Sequence, residues 1–277
     1  MDQQQMSDRL MQQMKIDETY VEPIWTAHVD MPLLNLSIPR LPAQPVILLP
    51  ELRLKSFLLN IAANLTNGGK LMIVDESNTR FEVMRQFARE CRVRNFFSTQ
   101  KLSALNYEDN IFHLALTEPG LSTISHAESV FPAYYRVLRP GGRLVFSAPL
   151  IGSFPAFFDL LEESLLTVYP VGAQEIMDNV YMNMDLDNMY AILQGCGFYI
   201  DACDVVNFEI GFNDVAQQLF STLVETHFLA YCQTFVSPAI DMRALLTRLV
   251  RSFHQYFEGV PIQMPMRLAL ISACKPG

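Results

Sequence analysis

Tyr135-Arg136-Val137-Leu138-Arg139-Pro140-Gly141-Gly142-Arg143-Leu144-Val145 is the stretch on which the reading of the fold turns. Residues 126–138 carry helical spacing, Pro140 and the two glycines stop that helix, and Arg143 to Ser147 reads as a strand. Upstream, Ile111 to Leu116 is an apolar run that follows the polar turn Tyr107-Glu108-Asp109-Asn110. Earlier still come Phe96-Phe97, Leu71-Met72-Ile73-Val74 and Val46-Ile47-Leu48-Leu49, short apolar runs of the kind buried on both faces of a sheet. Helical spacing fills the intervals at 51–66, closed by Gly68-Gly69, and at 79–91. Downstream, a helix over 185–195 ends at Gly195-Cys196-Gly197 and a strand follows over 198–210. Helices then cover 214–233 and 240–257, and Met266 to Ala273 is a last strand. Strand and helix alternating in this way predict an α/β chain with a doubly wound, largely parallel sheet.

The composition narrows the function classes. Half of the 277 residues are hydrophobic and only 18% are charged, the opposite of a disordered chain. A net charge of −9 excludes a general nucleic-acid binder, since attraction to phosphate supplies most of that affinity. No apolar run reaches the roughly 20 residues that span a bilayer. The opening MDQQQMSDRLMQQMK lacks the apolar region of a secretory signal. Cys91, Cys196, Cys203, Cys232 and Cys274 are scattered, with no CxxC pair, so reduced thiols and a cytoplasmic location are expected. Residues 1–45, with Pro23, Pro32, Pro39, Pro42 and Pro45, are expected to form an N-terminal helix and an extended arm beside an α/β domain at 46–277.

Several phrases, in this order, resemble class I S-adenosylmethionine-dependent methyltransferases, of the type 11-like small-molecule group. Residues 135–145 look like that family's helix, Pro-Gly-Gly turn and fifth strand, and 105–116 are similar to its approach to the fourth strand. Ala191-Ile192-Leu193-Gln194-Gly195-Cys196-Gly197-Phe198 resembles its late helix and turn, and Arg267 to Lys275 its closing strand. The resemblance covers 46–277 and implies a Rossmann-like, doubly wound, seven-stranded sheet whose last strand is antiparallel.

The family's cofactor signature is degenerate. Where the resemblance calls for a glycine-rich turn after the first strand, the chain has Pro50-Glu51-Leu52-Arg53-Leu54. Side chains there fill space that the cofactor would take, and Pro50 removes a backbone donor. The acidic position on the first strand is Leu48, the adenine-binding acid is replaced in Gln100-Lys101, and His113 stands where the fourth strand usually bears Asp. A lysine has donors only and cannot replace that acceptor. Asp75, ending the second strand, matches the acid that accepts from the ribose hydroxyls, and equally suits a helix N-cap or a solvated strand end.

The expectation is therefore a methyltransferase-fold pseudoenzyme that holds no cofactor and acts as a binding, scaffold or regulatory protein. The alternative is an active S-adenosylmethionine-dependent methyltransferase with a divergent pocket and a small or apolar acceptor. No catalytic residue and no metal ligand is assigned. His113 is the best functional histidine and His126 the next, though a satisfied structural histidine is the plainer reading of each. Arg80, Arg85, Arg89, Arg92 and Arg94 crowd one helix and its end, and Arg85, Arg89 and Arg92 share a face, as an anion or acidic-partner patch or a solvated face. The apolar segment 149–158 is expected to bind a protein partner or a second copy, or to line an apolar ligand pocket, with core packing as the competing reading. Leu219-Phe220 and Phe228 to Tyr231 carry the same readings.

Overall fold

The computed structural model describes residues 3–52, 54–65, 67–76, 81–89, 93–232, 234 and 240–277. Seven strands form one sheet: β1 (Val46–Pro50), β2 (Lys70–Asp75), β3 (Arg94–Thr99), β4 (Phe112–Thr117), β5 (Leu138–Pro149), β6 (Tyr199–Phe212) and β7 (Ile262–Cys274). Their order is β3-β2-β1-β4-β5-β7-β6. β1 to β5 are mutually parallel, and β7 runs antiparallel to both β5 and β6. The doubly wound sheet with an antiparallel last strand is thus the observed architecture.

Alternate residues of the central strands feed two cores. Ile47, Leu49, Leu71, Ile73, Leu114 and Leu116 point to one face, and Leu48, Val74, Ala115 and Leu144 to the other. Both faces are covered, which is why these strands read as continuous apolar runs. The Pro-Gly-Gly stretch is not a free turn before β5 but a bulge folded into it. Phe112 pairs with Leu138 while Leu114 pairs with Arg143, so the extra residues loop out. Gly141 has φ +75°, and a Cβ on Gly142 would stand 2.8 Å from the carbonyl oxygen of Arg139.

Two expectations change. Residues 17–40 are not an extended arm: helical turns continue from Gln3 to Arg40. Pro23 and Pro32 each follow wider π-helical turns, Asp17–Val21 and Thr26–Asp30, and Pro39 sits in a tight turn at Ile38–Arg40. A change of pitch accommodates the missing donor, so each proline alters the helix locally without ending its path. Trp25, Val29, Leu33 and Leu34 of this segment are buried against the sheet.

The second change concerns 149–158. Leu150, Phe154, Phe157 and Phe158 are buried, and only Ile151 among its large apolar residues is exposed. Helix Pro155–Val168, which the sequence reading missed along with Ala173–Asn183, turns the phenylalanines inward onto Phe228 and Phe253. Ring centroids in this cluster lie 5.3–5.9 Å apart, ordinary spacing for packed aromatics. The segment offers a partner almost no apolar surface, which corrects the expected docking role. No helix among the described residues is long and apolar enough to cross a membrane.

Candidate functional site

The carboxyl ends of β1, β2 and β4 lie side by side, because Pro50 pairs with Val74 and Leu48 with Ala115. In open parallel sheets this edge is where ligands bind. Thr117 at the end of β4 donates its hydroxyl to the Pro50 carbonyl at 3.0 Å, tying two strand ends together. The chain then turns through Glu51 in a left-handed conformation, φ +53°, with its N–H donating to Val74 O at 2.8 Å. A bulky residue there is strained, and the surroundings hold it. Glu51 is 5% exposed, and Thr123 donates to its Oε1 at 2.7 Å.

Leu52 and Leu54 follow, both buried, and helix Lys55–Asn64 begins immediately after. Over this edge lies the N-terminal helical segment. Trp25 donates its indole N–H to Oε1 of Glu118, the residue after β4. Asp30 is fully buried and accepts from Thr26, Ser56 and Asn60 at 3.0–3.3 Å. Burial pushes the Asp30 carboxyl up to about 6, against the pull of these donors. Glu22 accepts from the backbone N–H of Ser56, and burial raises its carboxyl as well. The strand edge is therefore packed with buried acids and apolar side chains. In the turn after β1, Glu51, Leu52 and Leu54 are buried, and both leucines join the main hydrophobic core.

Asp75 is half-buried at the end of β2, next to that turn, and its carbonyl accepts from Gln100 N at 3.0 Å. Glu76 is exposed and caps the following loop by accepting from Leu102 N at 3.0 Å. Lys101 is exposed, and Gln100 bonds Ser98 and the Asn106 backbone.

His113 is elsewhere. It is the second residue of β4 and so lies at the opposite end of the sheet from the cleft. Its Nδ1 accepts from the Val46 N–H at 3.1 Å, and burial, then the adjacent Arg139, lowers its basicity. This arrangement makes it a neutral structural histidine. His126 is exposed before helix Ala127–Val137, its Nδ1 2.8 Å from Ser122 O. Of the arginine group, Arg80 and Arg92 lie outside the described residues. Arg85 lies over the rings of Phe81 and Phe97, at 5.8 and 5.5 Å. The acids Asp30, Glu51 and Glu118 were missed in the sequence, where only their placement beside Pro50 or after an apolar run set them apart.

Comparison with known proteins agrees with this architecture. Residues 56–146 match a methyltransferase domain family. Over 155 residues the chain is 26% identical to the ubiquinone/menaquinone biosynthesis C-methyltransferase UbiE of Citrobacter koseri, a match spanning 52% of this chain and 61% of that protein. A structure from Bacillus halodurans C-125, described as a methyltransferase, superposes with a TM-score of 0.59 at 14% identity, covering 90% of this chain and 99% of that one. The [4+2]-cyclase SpnF superposes with a TM-score of 0.54 at 17% identity, covering 90% and 80%.

Proposed function

We propose that this chain, which belongs by fold and by its 56–146 segment to the class I S-adenosylmethionine-dependent methyltransferase family, works by binding rather than by methyl transfer. The observation that carries this reading is the packed turn after β1. Glu51, Leu52 and Leu54 are buried there, where the family needs open backbone. In this reading segment 1–45, described from residue 3 onward, serves as a cover over the α/β domain at 46–277. The fold is compatible with such a role, since sites rather than folds carry function, and one neighbour is named as a cyclase.

A second reading is an active methyltransferase with a divergent cofactor pocket, the reading that the relatives' names favour. Its support is the match over 56–146 and the position of Asp75 at the end of β2. Calorimetry and thermal shift with S-adenosylmethionine and S-adenosylhomocysteine separate the two. A ligand at 100 times its dissociation constant stabilises a fold by about 2.7 kcal/mol. The binding reading expects no heat and no shift. A clear shift that Asp75→Ala abolishes overturns it in favour of the enzyme.

A further inference from the structure

A cavity of about 470 Å³ opens away from the strand edge, between the turn at Ser125-His126 and helix Ala173–Asn183. Thr123 bonds Glu51, and the chain reaches this cavity two residues later. Its wall is built on two specific contacts. The ring of Tyr169 lies across Gly172 so closely that a Cβ there would meet Tyr169 Cε1 at 2.1 Å and its hydroxyl at 2.9 Å. Deeper in, Asn183 donates to the hydroxyl of buried Tyr231 at 2.9 Å. Burial pushes that phenol's pKa up.

The charge pattern is one-sided. Among the described residues neither Lys nor Arg lines the cavity, and Glu175 is its one acidic side chain. Nδ1 of His126 lies 2.8 Å from the carbonyl oxygen of Ser122 and 3.1 Å from the hydroxyl of Ser125. An acidic side chain beside an aromatic ring, with no described basic side chain in the lining, disfavours anions and suits a positive charge with N–H or N–CH₃ groups.

The geometry points to a binding site for a small organic cation, an amine or quaternary ammonium compound, with Glu175 as its counter-charge and the ring of Tyr169 as one wall. The volume lies within the ordinary range for small-molecule sites, roughly 300–1,000 Å³. Gly172 is the residue that sets the position of Tyr169, because any side chain there displaces the ring.

The test uses the full chain with choline and ethanolamine as probes and 3,3-dimethylbutan-1-ol as the neutral isostere of choline, read by calorimetry and saturation-transfer NMR. Neither probe contains an adenosyl group, so the result is independent of whether S-adenosylmethionine binds. At least one amine is expected to bind, with the neutral isostere weaker by about tenfold. Glu175→Gln, at an exposed position, is expected to weaken amine binding by about fivefold or more. Gly172→Ala, at a backbone φ of −115° that alanine adopts freely, is expected to do the same by moving Tyr169. The inference is overturned by no signal from either amine at about 20 mM. Equal affinity for the neutral isostere, or unchanged binding in Glu175→Gln, overturns it as well.

Discussion

Trp25 donates its indole N–H to Glu118 across 93 residues of sequence, joining the N-terminal helical segment to the end of β4. The indole is 1% exposed and the acid 2%. A buried carboxylate is costly unless it is well hydrogen-bonded, so this contact matters on both sides. It clamps the cover onto the strand edge and keeps that edge dry.

Trp25→Phe should retain most of the buried area but lose a hydrogen bond to a buried acid, costing about 1.5–3 kcal/mol. Trp25→Ala should cost about 3–5 kcal/mol, because a cavity is added to that loss. Urea unfolding of the two variants checks the order.

Asp30 makes stability depend on pH with an unusual sign. Its carboxyl is raised from 3.8 to about 6 by burial, so between those values the folded chain binds more protons than the unfolded one. Its contribution is therefore fully present below about pH 3.8 and is lost as pH rises through about 6. Asp30→Asn should flatten this slope and raise stability at pH 7 relative to the unmodified chain. Unfolding curves at pH 4, 5.5 and 7 measure it, and an unchanged slope in Asp30→Asn would contradict the assignment.

Phe154→Ala should destabilise the fold by about 3–5 kcal/mol, since its ring packs on Phe157, Phe228 and Phe253. Elution volume in size-exclusion chromatography should not change, because the ring is wholly buried. A change of assembly state without loss of stability would restore the partner role once expected of segment 149–158.

Gly142→Ala should cost about 1–3 kcal/mol through crowding inside the β5 bulge. The new Cβ would face the carbonyl oxygens of Arg139 at 2.8 Å and Phe112 at 3.0 Å, both backbone atoms that yield little. Gly141→Ala tests a different cause, the φ of +75°, and thermal melts of both separate crowding from backbone strain.

Much of the fold was legible because burial on two faces leaves a plain mark. The runs Val46 to Leu49 and Leu71 to Val74 are strands close to where they were placed. The order of the strands is not written in any such run and came from the resemblance alone. Residues 17–40 were misread because proline was taken to end helices, whereas π-helical turns before Pro23 and Pro32 absorb the missing donor. Helix Pro155–Val168 was missed because its apolar face is so broad that the helical period disappears into a solid run. At the site, the absent glycines were visible residue by residue. The acids that fill the edge were not, since Asp30 meets Asn60 and Trp25 meets Glu118 only after the chain has folded back on itself. His113 lies on the fourth strand but at the end away from the cleft, so a position within a strand decides whether a side chain can face a ligand.

The docking of the N-terminal segment has a consequence for how the chain is made. Asp17 accepts from both the backbone N–H and the hydroxyl of Thr222, 205 residues later. At a ribosomal pace of about 5–20 residues per second, the segment emerges some 10–40 s before that partner does. During that interval the apolar stripe Trp25, Val29, Leu33 and Leu34 has no sheet to cover it. The same contacts that seal the mature protein thus make its nascent form a natural client for chaperones.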